Sequence, residues 1–337
     1  MDNKKITIII HKTNDETVAN LLNTLTGIAI PDGYNVEVIS ANSYSKWNTY
    51  NTLMKKSDAK YKLYLDENLE IVYKNFLVEL INIFDSDDNI GIIGCTGAEI
   101  LSTNAICYKS EKRVGKIFIG SEKNLVNWNT SSEKVHDIVE AVDGYFMATQ
   151  YDIDWRTDIF TGNSFGDTAQ CIEVKRKGYK SVVVNSDDAW IWFKADDVAY
   201  DENAHKVFLN EYSADIFPKV LVLIPTYNRL QFFRVALESV VNQTYRNLKI
   251  IISDDSTNED TANFIQPYLE KYPNIKYWRN RGFNGDDNWN FLRQQQIYET
   301  ECEFVNWLMD DDVWVLNKIE IMVELFRNNP SVSLVTS

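Results

Sequence analysis

Three apolar runs in the last third of the chain each end abruptly in polar or acidic residues. They are Leu-Ile-Pro-Thr-Tyr-Asn-Arg at 223–229, Ile-Ile-Ile-Ser-Asp-Asp-Ser at 250–256 and Asn-Trp-Leu-Met-Asp-Asp-Asp at 306–312. In an open α/β sheet, ligands bind beyond the carboxyl ends of parallel strands, so three such strands would bring their polar ends to one edge. Carboxylates at that edge suit a hydrated divalent cation and the phosphates that it carries.

The rest of the sequence alternates strand-like and helix-like segments, which predicts mostly parallel sheets in an α/β fold. The predicted strands are 6–10, 36–40, 61–65, 90–94, 143–149, 181–185, 220–224, 248–253, 275–278 and 304–309, with a further strand-like run at 332–335. The predicted helices are 17–25, 50–57, 76–84, 167–177, 230–241, 260–272, 289–296 and 318–327. The two halves therefore look like a degenerate repeat of one strand-and-helix plan.

The length of the chain predicts more than one domain. At 337 residues the chain exceeds what one hydrophobic core usually supports. Linkers tend to be polar and to precede a fresh strand. We therefore expect a first domain at 1–205, a linker at 206–218 and a second domain at 219–337.

Composition excludes several classes of partner. The net charge of −15 argues against a nucleic-acid polymer or an anionic membrane surface, because both need a clustered basic face. No apolar stretch approaches the roughly 20 residues that span a bilayer, and the first residues lack the long apolar region of a signal peptide. The four scattered cysteines are interpreted as reduced thiols. We expect a cytoplasmic protein with no transmembrane segment, and its position at the inner face of the membrane is left open.

Four ordered motifs in the second half resemble a known family. They are Pro225–Arg229, Asn242–Tyr245, Ser253–Ser256 and Asp310–Asp312. In order and spacing they resemble the nucleotide-binding half of glycosyltransferase family 2, which has the GT-A fold. The resemblance covers 219–337 and implies two tandem GT-A-like (Rossmann-like) domains, the second truncated after its nucleotide-binding half.

The resemblance also implies roles for individual residues. Tyr227 offers a flat face to a nucleobase, and Asp255 offers an acceptor for the imide N–H of that base. The implied nucleotide-sugar-binding residues are Pro225, Thr226, Tyr227, Asn228, Arg229, Asp254, Asp255, Arg281 and Asp310, and the implied metal ligands are Asp311 and Asp312. An isolated acidic triplet is more often a solvated turn or a helix cap. Arg281 either faces a phosphate or covers the strand end, and Asn288 and Asn290 are expected to hold the loop in shape.

The implied reaction is a metal-dependent glycosyl transfer that inverts the anomeric centre. The donor is a nucleoside-diphosphate sugar bound with Mn²⁺ or Mg²⁺, and the acceptor is a hydroxyl of a glycan, a lipid-linked glycan or a protein. Surface polysaccharide or glycoconjugate synthesis is the implied setting, and a homo-oligomer is left open. In the family a later segment supplies the general base, and we expect that base to be absent from a chain that ends at Ser337.

The first half resembles a glycosyltransferase-like family that often precedes a family 2 domain. The resemblance covers about 5–195 and rests on four segments, Asn48–Asn51, Tyr61–Asn68, Val142–Thr149 and Gly178–Lys180. Relatives usually carry His-Gln-Asp where this chain has Asp66-Glu67-Asn68, and often a late histidine near Trp192. These departures weaken a metal site, although Asp66 or Glu67 remains a candidate ligand. Asp167 is a candidate catalytic base, and its alternative interpretation is a helix N-cap.

Two functions are alternatives to a complete glycosyltransferase. The first is a truncated or non-catalytic nucleotide-sugar-binding protein whose N-terminal domain binds the acceptor or mediates oligomerisation. The second is a nucleotidyltransferase. That class needs a Gly-rich, basic loop after the first strand, and neither Lys12-Thr13-Asn14 nor Thr226-Tyr227-Asn228 has that character.

Overall fold

The protein is described by a computed structural model that covers residues 1–128, 134–194 and 200–335. The chain divides into two compact units, Met1–Tyr212 (unit 1) and Ser213–Ser337 (unit 2). The two units follow the two-part organisation predicted from the sequence, and each is of the predicted α/β class.

The elements of unit 1 alternate between strand and helix as expected up to residue 94, except for one additional short strand at 69–71, and then depart from the predicted pattern. Its strands are β1 (Asp2–His11), β2 (Asn35–Ala41), β3 (Ala59–Leu65), β4 (Leu69–Ile71), β5 (Ile90–Gly94), β6 (Thr96–Ile100), β7 (Lys112–Ile119), β8 (Asn124–Asn127), β9 (His136–Val139), β10 (Ala141–Val142), β11 (Phe146–Thr149), β12 (Lys180–Val184) and β13 (Ile191–Phe193). Its α-helices are α1 (Asp15–Thr24), α2 (Lys46–Lys56), α3 (Phe76–Ser86) and α4 (Gly166–Arg176).

Unit 1 contains two sheets. The larger has seven strands in the order β2-β1-β3-β11-β5-β12-β9. Strands β2, β1, β3, β5 and β12 run parallel, whereas β11 and β9 run antiparallel to their neighbours. Residues of β3 and β5, and of β1 from Ile6 to His11, are almost completely buried, as expected for strands covered on both faces.

The second sheet of unit 1 was not predicted. It has six strands, β10-β6-β7-β13-β4 with β8 paired to β7, and all of its pairings except that of β13 with β7 are antiparallel. Most of these strands come from 96–142, where the sequence has no long apolar run. Short, half-exposed strands give a weak periodic signal, and this explains why the pattern was missed.

Unit 2 is a smaller parallel sheet with helices between its strands. Its strands are β14 (Val220–Thr226), β15 (Leu248–Asp254), β16 (Ile275–Arg279) and β17 (Phe304–Trp307), in the order β16-β15-β14-β17, and all three pairings are parallel. Its helices are α6 (Leu230–Val241), α7 (Asp260–Lys271), α8 (Gly285–Tyr298) and α9 (Lys318–Asn328). The central strands β14 and β15 are buried along nearly their whole length.

The predicted linker at 206–218 is instead mostly helical. Helix α5 (Glu202–Ile216) occupies it, and the division between the units falls within this helix. The apolar residues Phe208, Tyr212 and Ile216 recur every four positions and are all buried, which gives the segment one apolar face despite its polar composition. The exact domain bounds remain a prediction.

Two smaller differences concern unit 2. The strand-like run at 332–335 forms no ladder within the described ranges, and a strand needs a partner for its backbone N–H and C=O groups. Helix α8 begins four residues earlier than predicted, because Asn284 and Asp287 form a capping box with hydrogen bonds of 3.0 and 3.3 Å.

In the described part of the chain, no helix combines the length and apolar character that crossing a membrane requires. The four cysteines lie within the described ranges and form no disulfide.

Candidate functional site

The polar ends of the unit 2 strands meet at one edge of the sheet. Strands β14 and β15 are in register up to Thr226 opposite Asp254, and β17 lies on the other side of β14. The N–H of Asp255 donates to the carbonyl of Thr226 at 3.2 Å. The N–H of Tyr227 and the hydroxyl of Thr226 face the carboxyl of Asp310, in the turn after β17. The three predicted strand ends therefore contribute to one cluster of side chains.

Asp254, predicted to bind the nucleotide, is directed into the protein. Its side chain is fully buried, and its Oδ1 accepts from the N–H of Ser256 at 2.8 Å. Its Oδ2 accepts from the Tyr277 hydroxyl at 2.5 Å and lies 3.1 Å from Nη1 of Arg279. These contacts join the ends of β15 and β16, so the observed contacts of Asp254 are structural.

Asp255, the second carboxylate of this pair, receives one side-chain hydrogen bond from the described residues. Its Oδ1 accepts from Nδ2 of Asn288 at 2.8 Å, and the residue is buried. Burial raises the pKa of Asp255, and the nearby charges of Asp254 and Asp310 add to this effect. A buried carboxylate at a strand end with a perturbed pKa is a candidate for ligand recognition.

The loop after β14 exposes Tyr227 and holds Asn228 in a left-handed conformation. Tyr227 is 50% exposed, so its ring is free to stack on a flat ligand. Asn228 has φ of 50°, a region that asparagine tolerates better than most residues. Its N–H donates to Oγ of Ser256 at 2.7 Å, and its Oδ1 accepts from the N–H of Thr257 at 2.9 Å. Asn228, predicted to bind the nucleotide, thus ties this loop to the loop after β15.

Arg229 is the cation of this edge. Its Nη1 lies 3.4 Å from Oδ1 of Asp310 and 3.2 Å from Oδ2 of Asp311. Its side chain is 53% exposed, as is that of Asp311, whereas the carboxyl of Asp310 is nearly covered. Burial raises the pKa of Asp310, while Arg229 lowers it in part.

Asp311, a predicted metal ligand, and Asp310, predicted to bind the nucleotide sugar, therefore already share one positive charge. Within the described residues there is no group of three His, Cys, Asp or Glu side chains that could hold a metal ion by themselves. Mg²⁺ is usually bound by one or two carboxylates together with substrate phosphates and water, so Asp310 and Asp311 fit such an ion. Their common contact with the Arg229 guanidinium supports that fit, because a cation is attracted to the same place.

Three other predicted residues lie at or near this edge with less specific surroundings. Asp312 is exposed, and its N–H donates to the carbonyl of Met309 at 3.1 Å. Arg281 forms an exposed ion pair with Glu259. Pro225 lies within β14, opposite Ser253 in the ladder. Their roles toward a ligand remain predictions.

The corresponding strand end in unit 1 follows β3 and is arranged differently. Oδ2 of Asp66 lies 3.0 Å from Nζ of Lys46, which also donates to the carbonyl of Gly144 at 3.2 Å. The Lys46 side chain is only 11% exposed. Burial alone would raise the pKa of Asp66, but Lys46 and the hydrogen bonds from Asn68 outweigh it and hold that pKa below its usual value.

The other two acidic candidates of unit 1 are also enclosed. Glu67 accepts from the N–H groups of Thr13 and Asn14 at 2.8 and 3.0 Å, so it binds the loop that precedes α1. Asp167 lies in the first turn of α4, beside Gly144, and a Cβ at that glycine would come within 2.1 Å of its Oδ2. Burial raises the pKa of Asp167, and Lys46 lowers it in part. The role of Asp167 as a catalytic base remains a prediction.

Two residues of these clusters were not recognised as such in the sequence. Lys46 follows Ser45, a serine N-cap, and no acidic motif marks it as a partner of Asp66, 20 residues later. Asn288 was expected only to hold a loop. The Asn284–Asp287 capping box was the available signal, because it fixes where α8 begins and therefore which face Asn288 occupies.

Two family models match this chain, and each covers one of its two units. Residues 7–212 match the family described as glycosyltransferase-like, and residues 221–337 match glycosyl transferase family 2. The first match covers more than half of the chain. The chain belongs to the glycosyltransferase-like family. The family resemblances predicted for both halves are confirmed, and so is the expectation of a glycosyltransferase.

Characterised and uncharacterised relatives match only part of this glycosyltransferase. A GalNAc(5)-diNAcBac-PP-undecaprenol beta-1,3-glucosyltransferase of Campylobacter jejuni is 35% identical over 95 residues, which are 28% of this chain and 30% of that protein. An uncharacterised glycosyltransferase of Rickettsia typhi is 31% identical over 118 residues, 35% of this chain and 34% of that protein. The matched stretch thus spans about a third of either relative.

Two solved structures are similar to parts of this chain. TarS of S. aureus, residues 1–349, has a TM-score of 0.40 at 14% identity and covers 61% of this chain and 64% of that one. The mannosyltransferase PcManGT of Pyrobaculum calidifontis, in complex with GDP-Man and Mn²⁺, has a TM-score of 0.37 at 10% identity, with 55% and 56% covered.

Proposed function

We propose that unit 2 binds a nucleoside-diphosphate sugar together with Mn²⁺ or Mg²⁺, and that the protein transfers the sugar to a hydroxyl acceptor. In this proposal Tyr227 stacks on the base, Asp255 accepts a hydrogen bond from it, and Asp311 with Asp310 holds the metal. Arg229 changes partner and faces the diphosphate.

The observation that carries the proposal is the meeting of these groups at one sheet edge. An exposed aromatic ring, a buried carboxylate and an exposed carboxylate belong to three neighbouring strand ends. A sugar nucleotide presents a flat base, a ribose and a doubly charged diphosphate in that order. The buried carboxylate of Asp255 suits the less polar base of such a nucleotide sugar. The exposed carboxylate of Asp311 suits the metal ion and the charged diphosphate at the other end.

The metal would be held by Asp311 and Asp310, with further ligands from the diphosphate. A bound divalent cation neutralises the charge that develops on the leaving diphosphate. The protein itself orients the donor. Asp255 and Tyr227 fix the base, the loop held by Asn228 fixes the position of that ring, and Arg229 adds positive charge beside the phosphates.

The family and one relative support the proposed acceptor and the proposed stereochemistry. The Campylobacter relative is named for a lipid-linked glycan acceptor, so a glycan, a lipid-linked glycan or a protein hydroxyl is proposed here. We propose inversion, in which the acceptor oxygen attacks the anomeric carbon opposite the leaving diphosphate. The setting is synthesis of surface polysaccharide or another glycoconjugate, at or near the cytoplasmic side of a membrane.

Calorimetry on the full chain tests the donor site. UDP, dTDP and GDP are titrated with and without Mn²⁺, and binding of at least one of them is expected to depend on the metal. Asp311→Ala should weaken that binding about tenfold or more, which corresponds to about 1.4 kcal/mol. Glu270→Ala, which removes an exposed charge near the end of α7, is the matched control and should change nothing. Failure of all three nucleotides to bind with Mn²⁺, or unchanged binding by Asp311→Ala, would refute the proposal.

A second candidate concerns unit 1 and is favoured by the Lys46–Asp66 pair. Because a buried ammonium already neutralises Asp66, we propose that unit 1 is an acceptor-binding or oligomerisation module and not a second metal-dependent transferase. Donor hydrolysis by the Asp311→Ala chain should then fall to background. Hydrolysis that survives in Asp311→Ala but disappears when Asp66→Asn is added would assign catalysis to unit 1.

A further inference from the structure

A buried hydrogen-bond network connects helix α8 to the end of β15. Asn288, in the first half of α8, is 3% exposed. Its Nδ2 donates to Oδ1 of Asp255 at 2.8 Å and to the carbonyl of Ser253 at 3.1 Å. Its Oδ1 accepts from the hydroxyl of Ser253, and that hydroxyl also contacts Nδ2 of Asn280 at 2.6 Å. One side chain thus contacts both Ser253 and Asp255 of the same strand end.

The orientation of the Asn288 amide is fixed by these partners. Both N–H groups of Nδ2 are directed at oxygen acceptors, the carboxylate of Asp255 and the backbone carbonyl of Ser253. An ionised carboxylate and a backbone carbonyl accept hydrogen bonds and cannot donate them. Turning the amide over would set its own oxygen against both of them. A buried unsatisfied polar group costs about 1–3 kcal/mol, so the observed orientation is strongly preferred.

The amide in turn fixes the Asp255 carboxylate. The contact at 2.8 Å occupies Oδ1 and restricts rotation of the carboxyl group, which leaves Oδ2 for a donor on a ligand. The hydrogen bond also favours the ionised form that accepts from an N–H, against the opposing effect of burial. The N–H of Asp255 donates to the carbonyl of Thr226 at 3.2 Å and also interacts with the carboxylate of the same residue, which lowers the pKa of Asp255 in part.

We propose that Asn288 is a positioning residue for base recognition, which holds Asp255 so that one carboxylate oxygen meets the imide N–H of uracil or thymine. The proposal rests on the donor site proposed for unit 2. It assigns to α8 a part in choosing the base, through a residue that does not itself touch the nucleotide.

A purely structural role for Asn288 makes a different prediction. If the amide only attached α8 to β15, its loss would loosen the whole edge and weaken every nucleotide to a similar degree. A positioning role affects the nucleotides that carry an imide N–H, and spares CDP, whose cytosine has no N–H at the corresponding ring position. The ratio of the two affinities therefore separates the two roles.

The test measures this ratio on the full chain with Mn²⁺. The imide-bearing diphosphate that the wild-type chain binds more tightly, UDP or dTDP, is compared with CDP for wild type, Asn288→Ala and Asn290→Ala. Asn290 lies on the same helix two residues later and is exposed, so it is the matched control. Asn288→Ala should weaken the imide-bearing nucleotide about tenfold, the effect of about one hydrogen bond to a charged group, and change CDP less than about twofold. Asn290→Ala should change neither.

A double-mutant cycle with Asp255→Asn completes the test. If Asn288 acts through Asp255, Asn288→Ala should have no further effect on base selectivity once Asp255→Asn is present. If Asn288→Ala does not fold, Ser253→Ala replaces it, because the Ser253 hydroxyl holds the amide oxygen. Ser253→Ala should also weaken the imide-bearing nucleotide selectively, but by less, about threefold.

The outcomes distinguish this inference from the donor-site proposal. A wild-type chain that binds none of the nucleotides refutes both. Wild-type binding that Asp255→Asn weakens selectively, but Asn288→Ala weakens for CDP and the imide-bearing nucleotide alike, overturns the role of Asn288 alone. An equal loss from Asn288→Ala with and without Asp255→Asn has the same consequence.

Discussion

The strand ends of the two units present carboxylates that are neutralised in different ways. After β3 in unit 1, Asp66 contacts the ammonium of Lys46, whose side chain is 11% exposed and is also bonded to a backbone carbonyl. After β17 in unit 2, Asp310 and Asp311 share the guanidinium of Arg229, whose side chain is 53% exposed. In both units one basic side chain contacts the acidic strand end, but Lys46 is nearly buried and Arg229 is half exposed.

Burial determines what each cation can do. An exposed ion pair contributes about 0–1 kcal/mol, so Arg229 can leave its carboxylates at little cost when a metal or a phosphate arrives. A buried pair is different, because removing one partner strands an uncompensated charge and costs about 3–5 kcal/mol. We therefore interpret Lys46 as a permanent part of unit 1 and Arg229 as an exchangeable part of unit 2.

The largest effect is expected from removing the buried cation. Lys46→Met should lower the free energy of unfolding by about 3 kcal/mol, because Asp66, whose side chain is only 21% exposed, would lose its buried partner. Thermal and urea unfolding of the full chain, followed by circular dichroism, measure this. Lys55→Met is the matched control, since Lys55 lies on the same helix and forms an exposed pair with Asp154 at 2.9 Å. The control should lose less than about 1 kcal/mol.

A double variant tests whether the unpaired charge of Asp66 causes this loss of stability. Adding Asp66→Asn to Lys46→Met removes the stranded charge and should restore a large part of the lost stability. If Lys46→Met proves as mild as Lys55→Met, the buried pair is not the structural element that the geometry indicates.

The strands of the two units were recognisable in the sequence to different degrees. The central strands of unit 2 contain uninterrupted apolar runs, Val220–Ile224 and Ile250–Ile252, which give a strong signal. The second sheet of unit 1 is built from short strands whose pairing partners are distant in sequence, such as β4 with β13. No local pattern records such a pairing, so only the three-dimensional structure reveals it.

The candidate site shows the same limit at the level of side chains. Sequence motifs identified the residues at the strand ends, but Asp254 and Asp255 are adjacent and identical in type. Their opposite surroundings depend on Tyr277 and Arg279 for the first and on Asn288 for the second. These contacts arise from the packing of β16 and α8, which spacing alone does not describe.

A smaller effect is expected in the pH dependence of stability, with opposite signs at the two strand ends. The pKa of Asp66 is held below its usual value, so its stabilising contribution is present above about pH 4 and is lost as the pH falls through the folded-state pKa. The pKa of Asp310 is raised by burial, so ionisation destabilises the fold as the pH rises through that folded-state pKa. Asp66→Asn should therefore cost stability at pH 7, and Asp310→Asn should add about 0.5–1 kcal/mol there.

Unfolding curves at pH 3 and pH 7 measure both variants against wild type. Both differences should shrink at pH 3, where the wild-type carboxyls are protonated to a larger extent. A stabilisation by Asp310→Asn that is equal at both pH values would mean that ionisation is not its source.

The smallest effect on stability is expected at the exposed cation of unit 2. Arg229→Met should change the free energy of unfolding by about 0.5 kcal/mol or less, because the Arg229 side chain is 53% exposed, so that water can replace its contacts with Asp311 and with the nearly covered Asp310. The matched control is Arg234→Met, on α6, whose exposed pair with Glu238 has an N···O distance of 3.6 Å. If the proposed metal site is correct, Arg229 competes with the ion for the same carboxylates. Mn²⁺ titrated without nucleotide should then bind Arg229→Met about two- to fivefold more tightly than wild type, which corresponds to about 0.4–1 kcal/mol, whereas Arg234→Met should match wild type. Weaker Mn²⁺ binding by Arg229→Met would show that the guanidinium does not occupy the place of the ion, and a loss of stability as large as that of Lys46→Met would remove the distinction between the two strand ends.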